Sequence, residues 1–429
     1  MKPTIHQVGS VARLMAIQTD RFKSELLTVQ YAIPIKQETA QRAALMLELL
    51  RRGTERYPTK AKFYRHLDDL YASSITPYNK RAGDMQLLGV SADFLGSRFV
   101  GGGEGLLPEI VSMLSELLYH PYLPNGEFHT PYVDSEKQHL LDALRARINN
   151  PRALAHAKCR ALLCKDEPYG LSLIGEEDSV NALDPQTLTG AWQELICHVT
   201  PTFFYVGSTD PERVAGLLAA AFEGAGSFTY PAISDIHAQL APVQRAEEEM
   251  PLCQGKLSVG YRTDIGISHP LSAAMLVLNE IFGGSAASKL FLNVRERRSL
   301  CYHCSSSLDL YKGVMFANSG MKPKNREVTE AAIRQEFEAI RSGEISDVEL
   351  NAAKRSLDHA YRQMSDTPAA MAEFYMRRAL FGVCDTLNER REALLGVSRK
   401  DIALAADRLS EGAVFFLKGT LEGEEVDEE

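Results

Sequence analysis

The feature that most restricts the fold is a short aromatic segment that occurs twice. Phe203–Gly207 (FFYVG) lies near the middle of the 429-residue chain, and Phe415–Gly419 (FFLKG) lies near its end. Each segment has the apolar and aromatic residues typical of a buried strand, and each closes a stretch in which strands and helices are mixed. The repetition predicts two copies of one α+β unit of about 200 residues.

Apolar periodicity predicts the elements of both halves. In the first half we expect strands at Leu26 to Ile35, Met85 to Phe94 and Phe203 to Gly207, and helices at Glu38 to Arg52, Lys60 to Tyr71, Leu107 to Tyr119, Asp134 to Ile148, Arg152 to Cys164, Pro185 to His198 and Pro211 to Phe222. In the second half we expect strands at Lys256 to Thr263 and Val414 to Gly419, and helices at Leu271 to Phe282, Arg326 to Ser342, Asp347 to Gln363, Pro368 to Phe381 and Arg399 to Leu409.

A domain boundary is expected between the halves. The segment 223–251 combines Gly, Ala, Pro and charged residues and has little periodicity, as a linker would. We therefore predict a first domain over residues 1–225, a linker over 226–250 and a second domain over 251–420. Residues 421–429 are expected to form an acidic, disordered tail.

Composition excludes several classes of function. A formal charge of -9 argues against a surface that neutralises phosphates, so no nucleic-acid partner is expected. The sequence has no uninterrupted apolar run of about 18 residues and no basic stretch followed by an apolar one at its start, so neither a membrane span nor export is expected. Seven Cys, an odd and scattered set, predict reduced thiols in a cytoplasm.

Motifs of known catalytic chemistry are missing from the sequence. No two of the 11 His are four positions apart, the spacing with which a helix presents two imidazoles to one zinc. There is also no Gly-x-Ser-x-Gly elbow and no phosphate loop ending in Lys-Ser or Lys-Thr. The segment Cys301 to Cys304 lacks the second ligand pair of a structural zinc site, so we assign it a structural role. The run Gly101 to Gly105 is interpreted as a turn before a helix.

The first half resembles the active-site helix and turn of the insulinase and pitrilysin-like zinc peptidases. The resemblance is carried by Arg42 to Thr54, which ends in Gly-Thr, by Tyr57 to Thr59 and by Leu67 to Ala72. In catalytic members a His-x-x-Glu-His helix precedes that Gly-Thr, and the resemblance implies that Ala44, Leu47 and Glu48 occupy its positions. The third zinc ligand of the family, a Glu on a later helix, aligns at or beside Ala143.

These replacements imply a non-catalytic member of the family that carries no metal cofactor. Zinc in such a site needs three protein ligands, whereas Ala44 and Leu47 offer no donor atom and Glu48 offers a single carboxylate. Read without the resemblance, the apolar residues around Leu47 describe a buried core helix. Glu48 is then either partly exposed or a buried carboxylate with a partner.

The second half carries the more specific match. Gly283 to Ser285, Ser288 to Phe291 and Val294 to Tyr302 resemble the family's glycine turn and its Arg and Tyr, which stand seven residues apart and hold the peptide backbone near the scissile bond. Arg295 and Tyr302 keep that spacing, so the resemblance implies a substrate-binding pair. A guanidinium and a phenol can donate hydrogen bonds to a carbonyl that gains charge. The alternative is a surface Arg cluster beside a core Tyr.

The resemblance covers nearly the whole chain and implies two homologous α/β sandwich domains in a clamshell with the processing-peptidase fold. Such families include mitochondrial processing peptidases and bacterial pairs in which one subunit bears the zinc motif and its homologue does not. We therefore expect a non-catalytic subunit that forms a peptide chamber with a zinc-bearing homologue. The alternatives are a homodimeric peptide-binding scaffold without hydrolysis and a hydrolase that uses an unrelated site.

Overall fold

The computed structural model of the chain describes residues 2–101, 105–232, 234–238 and 242–421. These residues form two compact units, and each unit is built around one sheet that has helices packed on it. The predicted α+β class with two domains is confirmed. Among these residues, no helix is long and apolar enough to cross a membrane.

The sheet of the first unit has six strands in the order β1-β2-β6-β3-β5-β4. The neighbours β2 and β6 pair in parallel, and the remaining neighbours pair antiparallel. The strands are β1 Thr4–Val8, β2 Ala12–Gln18, β3 Ser24–Pro34, β4 Ser74–Ala82, β5 Met85–Leu95 and β6 Thr202–Gly207.

The sheet of the second unit has five strands in the order β7-β11-β8-β10-β9. The neighbours β7 and β11 pair in parallel, and the others pair antiparallel. The strands are β7 Gln244–Met250, β8 Gly255–Arg262, β9 His303–Asp309, β10 Val314–Met321 and β11 Ser410–Gly419.

The two sheets repeat one topology. The aromatic strand β6 lies between a parallel neighbour, β2, and an antiparallel one, β3; β11 lies in the same way between β7 and β8. The order from β2 to β4 in the first sheet therefore matches the order from β7 to β9 in the second, with β1 as an addition. The aromatic segments of the sequence mark equivalent strands of two related units.

Helices pack on these sheets or on one another. They are α1 Ala40–Leu50, α2 Lys60–Asp69, α3 Leu107–Tyr119, α4 Thr130–Arg145, α5 Pro151–Leu163, α6 Glu177–Asn181, α7 Pro185–Ile196, α8 Pro211–Ala221, α9 Ser272–Asn279, α10 Arg326–Arg341, α11 Asp347–Gln363, α12 Pro368–Leu380, α13 Leu387–Gly396 and α14 Arg399–Ala406. Side-chain caps fix several starts: Thr59, Asn150 and Asp184 each accept a hydrogen bond from a backbone N–H of the first turn. Glu280–Gly284 and Leu290–Arg297 are π-helical.

Each unit includes a segment from the other half of the sequence, so the units are not the contiguous domains 1–225 and 251–420 that we predict. The first unit comprises described residues of Met1–Arg145, Leu171–Ile233 and Met364–Leu380, and the second those of Ala146–Gly170, Ser234–Gln363 and Phe381–Glu429. The physical reason is apolar burial. On α5, Ala155, Cys159 and Leu163 form one buried face that packs with Phe415 of β11. In the first unit, α12 packs on β3 and β6, the equivalent strands.

Part of the predicted linker is a strand. Residues 244–250 form β7 and pair with residues 413–419 of β11. This strand lies at the edge of its sheet and its side chains are mostly exposed, so it lacks the apolar alternation by which strands are found in a sequence. The predicted acidic tail beyond Leu421, and residues 102–104 of the predicted glycine turn, lie outside the described residues.

Candidate functional site

The positions aligned with the zinc-binding helix lie on α1 in the first unit. Ala44 and Leu47 are buried in the core, and their side chains carry no atom that can bind a metal. Glu48 is exposed, and its carboxylate accepts a hydrogen bond from Nη1 of Arg51 at 3.1 Å. At these positions α1 is a core helix, and Glu48 is a surface residue with an ionic partner.

Ala143, aligned with the third zinc ligand, is exposed on α4, a helix that packs against α1. Arg52, just after α1, donates a hydrogen bond to Oγ of Ser135 at 2.7 Å and forms an ion pair with Glu136 of α4. Glu136 also lies 3.1 Å from Nδ1 of His139. The two helices are therefore adjacent, but the aligned positions supply one carboxylate where a zinc site needs three ligands.

Arg295 lies in the π-helical segment Leu290–Arg297 of the second unit, two residues before its end. Its guanidinium stacks 4.6 Å from the ring centroid of Phe291, and its Nε lies 3.6 Å from Glu296, too far for a hydrogen bond. The side chain is 40% exposed. In the described part of the chain this guanidinium makes no hydrogen bond, so its donors are free to meet a ligand.

Tyr302 follows a tight turn after the same helical segment. Ser299 has a φ of +48°, the left-handed conformation that commonly ends a helix, and Leu300 N donates to Val294 O at 3.2 Å. The backbone N of Tyr302 then donates to Gly320 O at 2.9 Å, which joins it to β10, while the side chain is 52% exposed. Tyr302 is therefore not the core residue of the alternative interpretation.

The cysteines of the Cys301 to Cys304 segment are both buried, which fits the structural role that we predict. A hydrogen bond between the two thiols lowers the pKa of Cys301 and raises the pKa of Cys304. His303, between them in sequence, is the first residue of β9.

A second group of candidate metal ligands lies elsewhere in the second unit. Nε2 of His237 is 3.5 Å from Glu167 and 3.8 Å from Asp235. Glu167, however, already accepts a hydrogen bond from Lys312 at 2.6 Å and another from Arg262, and both cations are buried. Two buried positive charges disfavour a further cation here, so the group carries no metal assignment.

A pocket of about 320 Å³ opens in the first unit between α1 and α7. Its volume lies within the range of small-molecule sites, and its walls mix apolar and charged groups. It is lined by Ile33, Pro34, Lys36, Thr39, Arg42, Ala43, Thr187, Gly190, Ala191, Glu194, Leu195, Val199 and Tyr230. The aligned zinc positions do not line it, and its groups do not identify a ligand.

The two units repeat one sheet topology, and in the first unit the positions aligned with zinc ligands lie on the adjacent helices α1 and α4. Residues 199–357 match the family model described as Peptidase M16 inactive domain. The resemblance to the insulinase and pitrilysin-like peptidases seen in the sequence is thus confirmed, and this chain lacks their His-x-x-Glu-His motif.

Individual relatives agree with this assignment. The chain is 28% identical over 406 residues to the probable inactive metalloprotease YmfF of Bacillus subtilis, across 94% of this chain and 95% of that protein. It is 25% identical to an uncharacterized zinc protease of Streptomyces coelicolor, across 65% of this chain and 62% of that protein. A conserved protein from Enterococcus faecalis, at 25% identity, superposes with a TM-score of 0.90 across 99% of this chain and 100% of that chain.

A solved structure described as a peptidase M16 inactive domain, from Pseudomonas fluorescens, shares the fold at lower identity. It has a TM-score of 0.80 and 16% identity, across 99% of this chain and 100% of that chain. The two chains therefore share a fold although most of their aligned residues differ.

Sequence analysis missed a group of basic residues close to Arg295. Arg152 of α5, Lys256 of β8 and His303 of β9 come from three separate elements, so no motif or spacing joins them. Only the register of the second sheet and the packing of α5 bring them together, and neither can be read from one sequence.

Proposed function

We propose that this chain is the non-catalytic subunit of a two-subunit peptidase in which a zinc-bearing homologue performs the hydrolysis. The proposal rests on a contrast between two sites of the chain. The aligned zinc positions hold a buried Ala and a buried Leu, whereas Arg295 and Tyr302 keep exposed hydrogen-bond donors. Residues that serve packing alone are buried, and these two are not.

In this proposal Arg295 and Tyr302 hold a peptide substrate. The phenol and the guanidinium donate hydrogen bonds to a carbonyl oxygen of the peptide, which becomes more negative during attack by the partner's zinc-activated water. The second unit then supplies one wall of a chamber, and the clamshell arrangement belongs to the same proposal. The free state of all seven cysteines supports a cytoplasmic location.

The test uses this chain, tagged and purified together with the zinc-bearing homologue from its own cell. Arg295→Ala and Tyr302→Phe should each lower peptide cleavage by about ten-fold to a thousand-fold, as loss of an oxyanion donor does. Arg297→Ala is the matched control on the same helical segment. Tyr71→Phe is the matched control for the phenol, because Tyr71 is 55% exposed and Tyr302 is 52% exposed.

Complex formation and melting temperature should be unchanged in all four variants. Wild-type cleavage by Arg295→Ala and Tyr302→Phe, in a complex that depends on this chain, would show that the pair does not hold substrate. If the tagged chain brings down no zinc-bearing homologue and instead forms a dimer with itself, the homodimeric peptide-binding scaffold becomes the better account.

A further inference from the structure

Three neighbouring strands of the second unit place Lys256, Gly320 and His303 in one row. Gly320 of β10 lies opposite Lys256 of β8 on one side and opposite His303 of β9 on the other. Directly opposite residues of antiparallel strands point to the same face of a sheet, so Lys256 and His303 share a face, with the glycine between them. Nζ and Cδ of Lys256 would lie 3.2 Å and 3.6 Å from a Cβ at Gly320, so the Lys256 side chain lies over the glycine.

The helix α5 brings a second cation to this face. Nη2 of Arg152 donates a hydrogen bond to Oγ of Ser305 at 3.2 Å, and that oxygen lies 3.5 Å from Nε2 of His303. Ser305 is two residues along β9 from His303, so both side chains are on the same face of the sheet. Arg152 and Lys256 therefore both lie near His303 on this face.

Neither cation has an acidic partner. Nζ of Lys256 donates to the amide oxygen of Gln254 at 2.8 Å, and Arg152 donates to a hydroxyl. Within the part of the chain that the structure describes, no carboxylate lies within 4.0 Å of either group. Both groups therefore keep a positive charge that no adjacent carboxylate offsets.

The electrostatic effect on neighbouring groups is direct. Burial and then the positive charge of Arg152 lower the pKa of Lys256. The pKa of His303 is lowered to about 4, first by burial and then by neighbouring positive charges. These charges are Arg152, Lys256 and the proposed substrate-binding Arg295. His303 is uncharged at neutral pH and keeps one N–H that can be donated.

We propose that the recess formed by Arg152, Lys256, Gly320 and His303 binds a carboxylate of the peptide substrate. The inference rests on the proposed peptide-binding role of the second unit and adds the class of group that the peptide carries. A carboxylate can accept charge-assisted hydrogen bonds from both cations, and the missing side chain at Gly320 lets the Lys256 side chain lie across β10. The carboxylate is either the C-terminus of the peptide or an acidic side chain within it.

The test measures binding of short peptide mixtures to the full chain by anisotropy of a neutral fluorophore. One mixture has random uncharged residues and a free C-terminal carboxylate. The second is the same mixture with a C-terminal amide, and the third has the amide and one internal Glu. Lys256→Gln and Arg152→Gln each remove one cation of the recess. Lys400→Gln, an exposed residue of α14 in the same unit, is the charge-matched control.

The wild-type chain should bind the first or the third mixture, each of which carries a carboxylate, about ten-fold or more tightly than the second, which carries none. This is the effect of one charge-assisted hydrogen bond. Preference for the first mixture identifies a C-terminal carboxylate, and preference for the third identifies an acidic side chain. Lys256→Gln and Arg152→Gln should reduce the preference to near one, and Lys400→Gln should keep it. Lys256→Gln removes a partly buried charge, so its melting temperature should not fall.

Equal binding of all three mixtures by the wild-type chain, or a preference that survives both substitutions, overturns the carboxylate site and leaves the proposed function standing. If the preference depends on Lys256 but Arg295→Ala and Tyr302→Phe do not weaken peptide binding, the carboxylate site is supported and the proposed substrate-binding pair is contradicted. No binding of any mixture contradicts both.

Discussion

At the scale of single residues, Glu167 holds the segment of the first half that belongs to the second unit. Its carboxylate is hydrogen-bonded to Lys312 and Arg262, whose side chains are 0% and 3% exposed. Burial alone would raise the pKa of Glu167, but its bonds to Lys312 and Arg262 outweigh burial and hold the pKa below its ordinary value. Charges this deep are stable only while their partner is present.

Glu167→Gln should therefore lower the free energy of unfolding by about 3 kcal/mol at neutral pH, because two buried cations lose their counter-charge. Urea titration measures this. Glu248→Gln is the matched control, since Glu248 pairs with Lys158 at 2.9 Å but both side chains are nearly half exposed. Its effect should stay below about 1 kcal/mol. A loss no larger than that of Glu248→Gln would mean that the buried network adds no stability.

The same ion pair predicts a pH dependence. A carboxylate whose folded pKa is depressed stabilises the fold above its unfolded pKa, about 4.3, and that stabilisation is lost as the pH falls through the folded value. The difference in unfolding free energy between wild type and Glu167→Gln should accordingly be constant above about pH 5 and shrink below about pH 4. A difference that grows on acidification would contradict the assigned ionisation.

Zinc binding is also decided by individual residues. Elemental analysis of the purified chain should find no stoichiometric zinc at the aligned site, because Glu48 is the one donor there. The variant Ala44→His, Leu47→Glu, Glu48→His should still bind zinc weakly until Ala143→Glu is added. Leu47 is 2% exposed, so its replacement also buries a carboxylate and should lower the melting temperature. Tight zinc binding by the triple variant alone would show that the third ligand is misplaced.

At the scale of elements, a glycine at position 283 of the π-helical segment Glu280–Gly284 is required by packing. A Cβ on Gly283 would lie 2.4 Å from the backbone N of Ser306 and 2.8 Å from Cδ1 of Leu290. Gly283→Ala should therefore destabilise the protein by about 1–3 kcal/mol. Gly216→Ala is the matched control in α8, where a Cβ meets nothing within 4 Å, and it should be neutral or stabilising by up to about 1 kcal/mol. Equal melting temperatures for the two variants would contradict the clash.

Most long apolar elements could be predicted from the sequence. Leu107–Tyr119 and Asp347–Gln363 were predicted to the residue, because an apolar face at helical spacing needs no tertiary information. The strands β1 and β7 were missed because they lie at sheet edges and carry exposed polar residues, so neither shows apolar alternation. Strand β9 was missed because its run of Ser residues shows no apolar alternation, and strands β2, β4 and β10 were missed as well.

The parts of the candidate site that are formed by residues close in sequence could be predicted. Arg295 and Tyr302 could be found by their spacing, and the aligned zinc positions by the Gly-Thr that follows them. The recess around Lys256 could not be found, since β8, β9 and α5 meet only through sheet register and helix packing. The roles of Arg295, Tyr302 and the recess in binding a peptide stay predictions.

At the scale of the whole molecule, the reciprocal exchange of segments has a measurable consequence. A protease site inserted between Pro242 and Val243, both exposed, would cut the chain into two fragments. The first fragment keeps α5, which belongs to the second unit, and the second keeps α12, which belongs to the first. The cut protein should therefore elute as one species in native gel filtration and separate only in denaturant. Separation without denaturant would mean that the exchanged segments bind weakly.

In the proposed function the zinc-bearing homologue hydrolyses the peptide and this chain helps to bind it, and a peptide-cleavage assay tests this directly. The assay compares this chain alone, its co-purifying zinc-bearing homologue alone, and the two together. We expect no cleavage by this chain alone. The mixture should cleave the peptide at least about ten-fold faster than the homologue alone, because one or more oxyanion donors are supplied by this chain. Chelator treatment of this chain before mixing should change nothing. Cleavage by this chain alone that a chelator abolishes would contradict the account.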